Sequence, residues 1–152
     1  MSPFDVRLWR KRHPRAKRAI KSLESVVAWC HARRIAVWFC GEAGAYWIQD
    51  TSTILVNARS SPETQLALLL HECGHVLIDS EPQSDTRREK RSVGQQRCDI
   101  VCEEAEAWRR GEGLAREIGA VVSAKKFHET RVSCLRAYFR WALKRGPLSD
   151  PV

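Results

Sequence analysis

Three residues in the middle of this chain have the types and the spacing needed to activate water. His71 and His75 are four apart, and Glu72 stands between them in His71-Glu72-Cys73-Gly74-His75. On a helix, positions four apart share a face, so both imidazoles can grip one metal ion. Neutral imidazole suits zinc, and a carboxylate beside the ion can take a proton from water. Zinc lowers the pKa of such a water from about 15.7 to about 7. His71 and His75 are therefore candidate ligands of Zn2+, and Glu72 is the candidate catalytic base. The same spacing would also fit two hydrogen-bonded core histidines, so the surrounding segments have to decide.

Those segments predict a buried helix. The motif lies in Leu68-Leu69-Leu70-His71-Glu72-Cys73-Gly74-His75-Val76-Leu77-Ile78, which is apolar on nearly every side. Ser60-Ser61-Pro62-Glu63 supplies its start, with Ser61 as N-cap and Pro62 in the first turn. Gly74 costs helix propensity and permits another element to approach closely behind the metal.

A catalytic zinc site usually has three protein ligands and one open position. The metzincin pattern would need a Gly at position 78 and a His at position 81, which are Ile78 and Glu81 here, so that class is excluded. No histidine stands between His75 and His128. The next ligands in reach are the carboxylates of Glu103-Glu104-Ala105-Glu106, after a polar connection from Ser80 to Arg97 that lets a second helix return beside the first. Glu104, Ala107, Trp108, Gly111, Leu114 and Ala115 form one helical stripe; Glu103, Ala107, Gly111, Leu114 and Ile118 form an overlapping one. Glu106 falls with Arg109, Arg110 and Gly113 on the polar side. Spacing leaves the third ligand open between Glu103 and Glu104.

Short strands lead into the zinc helix. Ala36-Val37-Trp38-Phe39 reads as one, and Ala45-Tyr46-Trp47-Ile48 and Thr53-Ile54-Leu55-Val56-Asn57 read as a hairpin around Gln49-Asp50-Thr51-Ser52. An edge strand beside a metal can pair with an extended substrate. Ile54 to Asn57 is the candidate for that role, against an ordinary core strand.

Leu70-His71-Glu72-Cys73-Gly74-His75-Val76-Leu77, followed by Glu104-Ala105-Glu106-Ala107-Trp108, resembles the ImmA/IrrE group of gluzincin-like metallopeptidases. That group carries an H-E-x-G-H helix and a later E-x-x-A helix with the third ligand. The likeness covers roughly Trp38 to Ala120. It implies His71, His75 and Glu104 as metal ligands, Glu72 as the base, and a protein or peptide substrate. Members are encoded in phages, integrated elements and stress operons of bacteria, and some cleave repressor-type DNA-binding proteins. The family's usual Asn after the Ala is Trp108 here.

Length and charge bound the rest. At 152 residues the chain is one domain with room for a substantial core. We divide it into a basic N-terminal arm at 1–14, a metallopeptidase domain at 15–146 and a tail at 147–152. No apolar run is long enough to span a membrane, and the first residues lack an apolar signal core, so a cytoplasmic protein is expected. Cys30, Cys40, Cys73, Cys98, Cys102 and Cys134 are expected to be free thiols. Cys98 and Cys102 lack a second pair that would make a metal site, and Cys73 is not expected to be a ligand. Residues 1–34 hold ten Lys or Arg against Asp5 and Glu24, so the whole formal charge of +8 lies there. Ala16, Ala19, Ile20, Leu23, Val26, Val27 and Cys30 recur at helical spacing, leaving Arg15, Lys17, Arg18 and Lys21 outward. Such a face can meet nucleic acid or an acidic protein. The plainer reading is a solvated face that aids solubility, since no DNA-reading motif accompanies it.

Near the C-terminus, Phe127, Arg131, Cys134, Leu135, Tyr138 and Trp141 mark a further helix, ended by Lys144-Arg145-Gly146-Pro147. His128 and Tyr138 are candidates to stabilise an oxyanion. The reading as a whole is an α+β zincin-like domain: a small sheet, the H-E-x-x-H helix, a third-ligand helix and flanking N- and C-terminal helices. Its expected function is zinc-dependent peptide-bond hydrolysis. The alternative is a zinc-bound regulatory or partner-binding module without proteolysis.

Overall fold

A computed structural model of the chain describes residues 2–3, 5–41, 44–81 and 92–144. Most of the charged connection after Ser80, the stop at Arg145-Gly146-Pro147 and the tail at 147–152 lie outside the described residues. The fold is α+β. In chain order the elements are β1 (Ser2–Pro3), α1 (Val6–Arg12), α2 (Lys17–Ala32), β2 (Ala36–Cys40), β3 (Ala45–Ile48), β4 (Thr53–Asn57), α3 (Pro62–Asp79), α4 (Val93–Glu117) and α5 (Ala124–Ala142).

The expected strands and the hairpin form. β3 and β4 pair antiparallel, with Trp47 opposite Ile54, across a short 3-10 turn at Gln49–Thr51. β2 joins β4 in parallel, with Trp38 opposite Leu55. The order across the sheet is β1-β2-β4-β3. Of the two readings of Ile54–Asn57 the interior strand holds, and among the described residues β3 is the edge strand on that side of the sheet. A hairpin makes its two strands neighbours, but which of them faces outward depends on where a third strand docks. Here β2 docks on β4, because alternate residues Ile54 and Val56 bury completely against the core beside Val37 and Phe39.

The inner face of the sheet and the apolar face of α2 close over α3. Ile20, Leu23 and Val26 of α2 and Leu66, Leu69 and Leu70 of α3 are all essentially inaccessible. Each such side chain contributes roughly 1.5–3 kcal/mol relative to exposure. Ser61 caps α3 by accepting from the Thr64 amide at 3.3 Å, and Pro62 occupies the first turn, as their order in the chain predicts. A capping box of Ser92 and Gln95 starts α4. The basic N-terminal segment is not detached: Asp5 caps α1, Trp9 is 5 % exposed, stacks on His13 and meets the Phe39 ring at a tilt, and Arg10 pairs with Glu24 of α2.

α3 and α4 cross at glycine. A Cβ on Gly74 would fall 2.6 Å from the carbonyl carbon of Ala107, and one on Gly111 would fall 2.7 Å from that of Leu70. Any side chain at either place would hold the helices apart. This contact between the two backbones sets the distance between the residues they carry.

Candidate metal centre

α3 presents His71 and His75 one turn apart, and their rings meet edge to face with centroids 4.7 Å apart. α4 crosses behind them at Gly74 and Gly111 and brings Glu104 to the same point. His71 Nε2 is 3.1 Å from Glu104 Oε2, and His75 Nε2 is 3.3 Å from Glu104 Oε1. One ligand atom from each of the three lies within 4.8 Å of the others. Two atoms bound to one tetrahedral zinc at about 2.0–2.1 Å stand about 3.4 Å apart, so this donor set fits such an ion.

The polar atoms point the same way. Glu104 Oε2 is buried without a hydrogen bond, even though His71 Nε2 is 3.1 Å away. Burial by itself would raise the Glu104 carboxyl, but the proximity of His71 and His75 outweighs it and holds the group at about 2. For His75 burial acts downward, and Glu104, Glu72 and Glu103 outweigh it, leaving the imidazole above its ordinary value. The site is therefore built for positive charge.

Glu72 is buried beside this group at 5 % exposure. Burial pushes its carboxyl above the usual carboxylate range, while His71 and His75 pull it back in part. The backbone N–H of Trp47 on the edge strand donates to the same carboxylate, so β3 orients the candidate base. Next to it, Trp47 Nε1 donates to Asp79 Oδ2 at 2.6 Å, which ties β3 to the end of α3.

These groups line a cleft of about 500 Å³. Its walls are Ala45, Tyr46 and Trp47 of β3, the histidines and Glu72 of α3, Glu103 and Glu104 of α4, and Cys134 and Tyr138 of α5. Of the two carboxylates left open by spacing, Glu104 is 6 % exposed at the convergence point, and Glu103 lies on the wall. Glu106 is turned away into ion pairs with Arg109 at 2.6 Å and Arg110 at 2.7 Å. Of the two oxyanion candidates, Tyr138 faces the cleft, where burial and the Glu104 charge raise its phenol above the ordinary range. His128 is exposed, 3.3 Å from Arg131, and is no part of the cleft.

Two supporting residues escape motif reasoning. Trp108 is fully buried and stacks on His71, with ring centroids 4.4 Å apart and planes 15° from parallel. His71 Nδ1 is buried without a hydrogen bond, so the indole face and not a second acceptor sets the ring's orientation. The signal was the Trp four residues after Glu104, on its own helical stripe. Trp47 is the other; its role depends on β3 lying at the edge, which no local pattern reveals. Cys73 points away from the donor set, with its sulfur 3.6 Å from that of Cys30, and all six thiols are free. Among the described residues, His71, His75 and Glu104 are the one group able to hold a metal ion, so Cys98 and Cys102 do not make a second. No helix among the described residues is long and apolar enough to cross a membrane.

The segment that carries all of this, residues 41–108, matches the protein-family model described as Peptidase_M78, the IrrE N-terminal-like domain. It runs from just before β3 to Trp108 and so takes in the edge strand, Glu72 and all three donors. No curated protein and no solved structure matches the chain significantly.

Proposed function

We propose, for a chain whose residues 41–108 match the model of the IrrE N-terminal-like domain, that it is a zinc-dependent endopeptidase acting on an extended segment of a protein. The observation that carries this reading is the convergence of His71, His75 and Glu104 from two helices, with Glu72 and an edge strand on the same cleft.

Each part has a separate task. His71, His75 and Glu104 would hold the zinc, which would supply Lewis-acid chemistry to polarise a peptide carbonyl and acidify a water. Glu72, oriented by the Trp47 amide, takes the proton from the attacking water. The raised proton affinity of its buried carboxyl suits it to take that proton, which the same group then passes to the leaving nitrogen. β3 lies at an edge of the sheet, so the substrate adds along it as a further strand and its scissile bond lies over Glu72. Tyr138, across the cleft on α5, donates its hydroxyl to the oxygen on which charge develops. A repressor-type regulator, suggested by the family resemblance, is the first substrate class to test.

The deciding experiment compares the wild type with Glu72→Gln. Both are expected to bind one zinc per chain, measured by elemental analysis. Proteomic profiling of new peptide termini after expression should find cleavages in the wild type that fall at least ~100-fold in the variant, the least that general-base catalysis typically contributes. Equal cleavage by the two would remove Glu72 from the mechanism. Zinc binding with no cleavage by the wild type would favour a partner-binding module.

A further inference from the structure

The ten cations of the first 34 residues are all exposed: Arg7, Arg10, Lys11, Arg12, Arg15, Lys17, Arg18, Lys21, Arg33 and Arg34. Only Arg10 has a carboxylate partner among the described residues, Glu24 at 3.1 Å. The segment's other acid, Asp5, is used in capping α1. Residues 35–152 hold sixteen Lys or Arg against sixteen Asp or Glu, so all of the formal net charge lies on this segment.

From this contrast we infer that the outer face of α1 and α2 binds the phosphate backbone of nucleic acid. α2 has sixteen residues and so spans about 24 Å, with its apolar side sealed into the core by Ile20, Leu23, Val26 and Cys30. Lys17, Arg18 and Lys21 remain on the solvent side, and the Arg10–Glu24 pair holds α1 and its cations alongside. Seven of the ten are arginines, whose forked guanidinium matches phosphate oxygens two at a time. Interfaces with proteins have apolar, aromatic centres, whereas those with nucleic acid are polar and strongly positive. Among the described residues this face offers one large exposed apolar side chain, Leu8. Contact is to the backbone, so the binding is independent of sequence. None of the residues lining the cleft comes from the first 34, so a bound duplex leaves the cleft open.

The test uses the full chain and a fluorescent 20-base-pair duplex of arbitrary sequence, read by anisotropy. If four phosphates are neutralised, affinity should fall about 100-fold between 50 and 200 mM salt. Replacing Lys17→Glu, Arg18→Glu and Lys21→Glu together should weaken binding at least tenfold at 50 mM salt and flatten the salt dependence. Lys17→Gln with Lys21→Gln should act in the same direction with less risk to the fold. Lys125→Glu on α5 is the control and should change nothing. Zinc content and melting temperature should match the wild type throughout. Absence of binding at 50 mM salt, salt-independent binding, or equal binding by the charge variants would overturn the inference. So would polyglutamate displacing the duplex at equal charge concentration, which would assign the face to an acidic protein.

Discussion

Gly74→Ala places one methyl group between the two helices that build the metal centre. Its Cβ would lie 2.6 Å from the carbonyl carbon of Ala107 and 2.9 Å from its Cα. Carbon atoms rest about 3.5–4.0 Å apart, so α3 and α4 must part locally by about 1 Å. A backbone carbonyl cannot swing aside as the end of a long side chain could. Overpacking of this kind costs about 1–3 kcal/mol. Alanine returns about 1 kcal/mol through its better helix propensity, so the net loss of stability is modest. The effect on the metal is larger. His71 and His75 ride on α3 and Glu104 on α4, and metal–ligand distances hold within about 0.2 Å. A displacement of about 1 Å exceeds that tolerance several-fold, so zinc affinity should fall at least tenfold. Titration against a chromophoric chelator measures it, and a thermal melt of the metal-free protein isolates the packing cost. Gly113→Ala is the control: nothing lies within 4 Å of the Cβ it would add, so stability should rise slightly and zinc affinity should hold. Wild-type zinc affinity in Gly74→Ala would refute the argument that this crossing sets the ligand geometry.

Three further outcomes follow from the same geometry. Glu104→Ala should lower zinc affinity sharply in the chelator titration, while Glu106→Ala should not, because Glu106 is spent on Arg109 and Arg110; a collapse in Glu103→Ala alone would move the ligand by one residue. Tyr138→Phe should lower kcat by about 100-fold or more with little change in KM, the size of a lost oxyanion donor, and His128→Ala should leave both unchanged; equal rates in Tyr138→Phe would remove the hydroxyl from the mechanism. The two forms of the protein should respond oppositely to pH. In the metal-free chain His75 has a folded pKa above its ordinary 6.5, so its contribution is complete below 6.5 and is lost as pH rises through the folded value. Glu104 adds stability above 4.5 that is lost as pH falls toward about 2. Zinc-loaded protein needs neutral imidazoles, so the zinc contribution grows from pH 5 to 8. Denaturant melts across that range, with and without zinc, check the crossing slopes.

Much of the site follows from local rules that any reader of the chain can apply. His71 and His75 share a face because a helix repeats every 3.6 residues, and the helix itself is announced by Ser61, Pro62 and the apolar run after them. Glu106 is placed on the polar side by its Arg neighbours three and four residues on. The three strands and the hairpin read correctly from β-branched and aromatic runs. The basic face of α2 is equally visible, because its apolar positions recur at helical spacing.

What local pattern does not carry is the docking of one element on another. The order β1-β2-β4-β3 depends on a pairing between strands separated by the whole hairpin, so only three dimensions decide that Ala45–Ile48, and not Ile54–Asn57, is the edge strand among the described residues. Glu103 and Glu104 sit 100° apart on one helix, and it is the crossing at Gly74 and Gly111 that turns Glu104 to the histidines. The same docking separates Tyr138 from His128, stacks Trp108 on His71, and seats Trp9 in the core so that the basic segment is part of the body. The physical reason is one of range. Helical period and capping act over three or four residues, whereas a metal centre built from two helices and an edge strand exists only once long-range packing has set their distances.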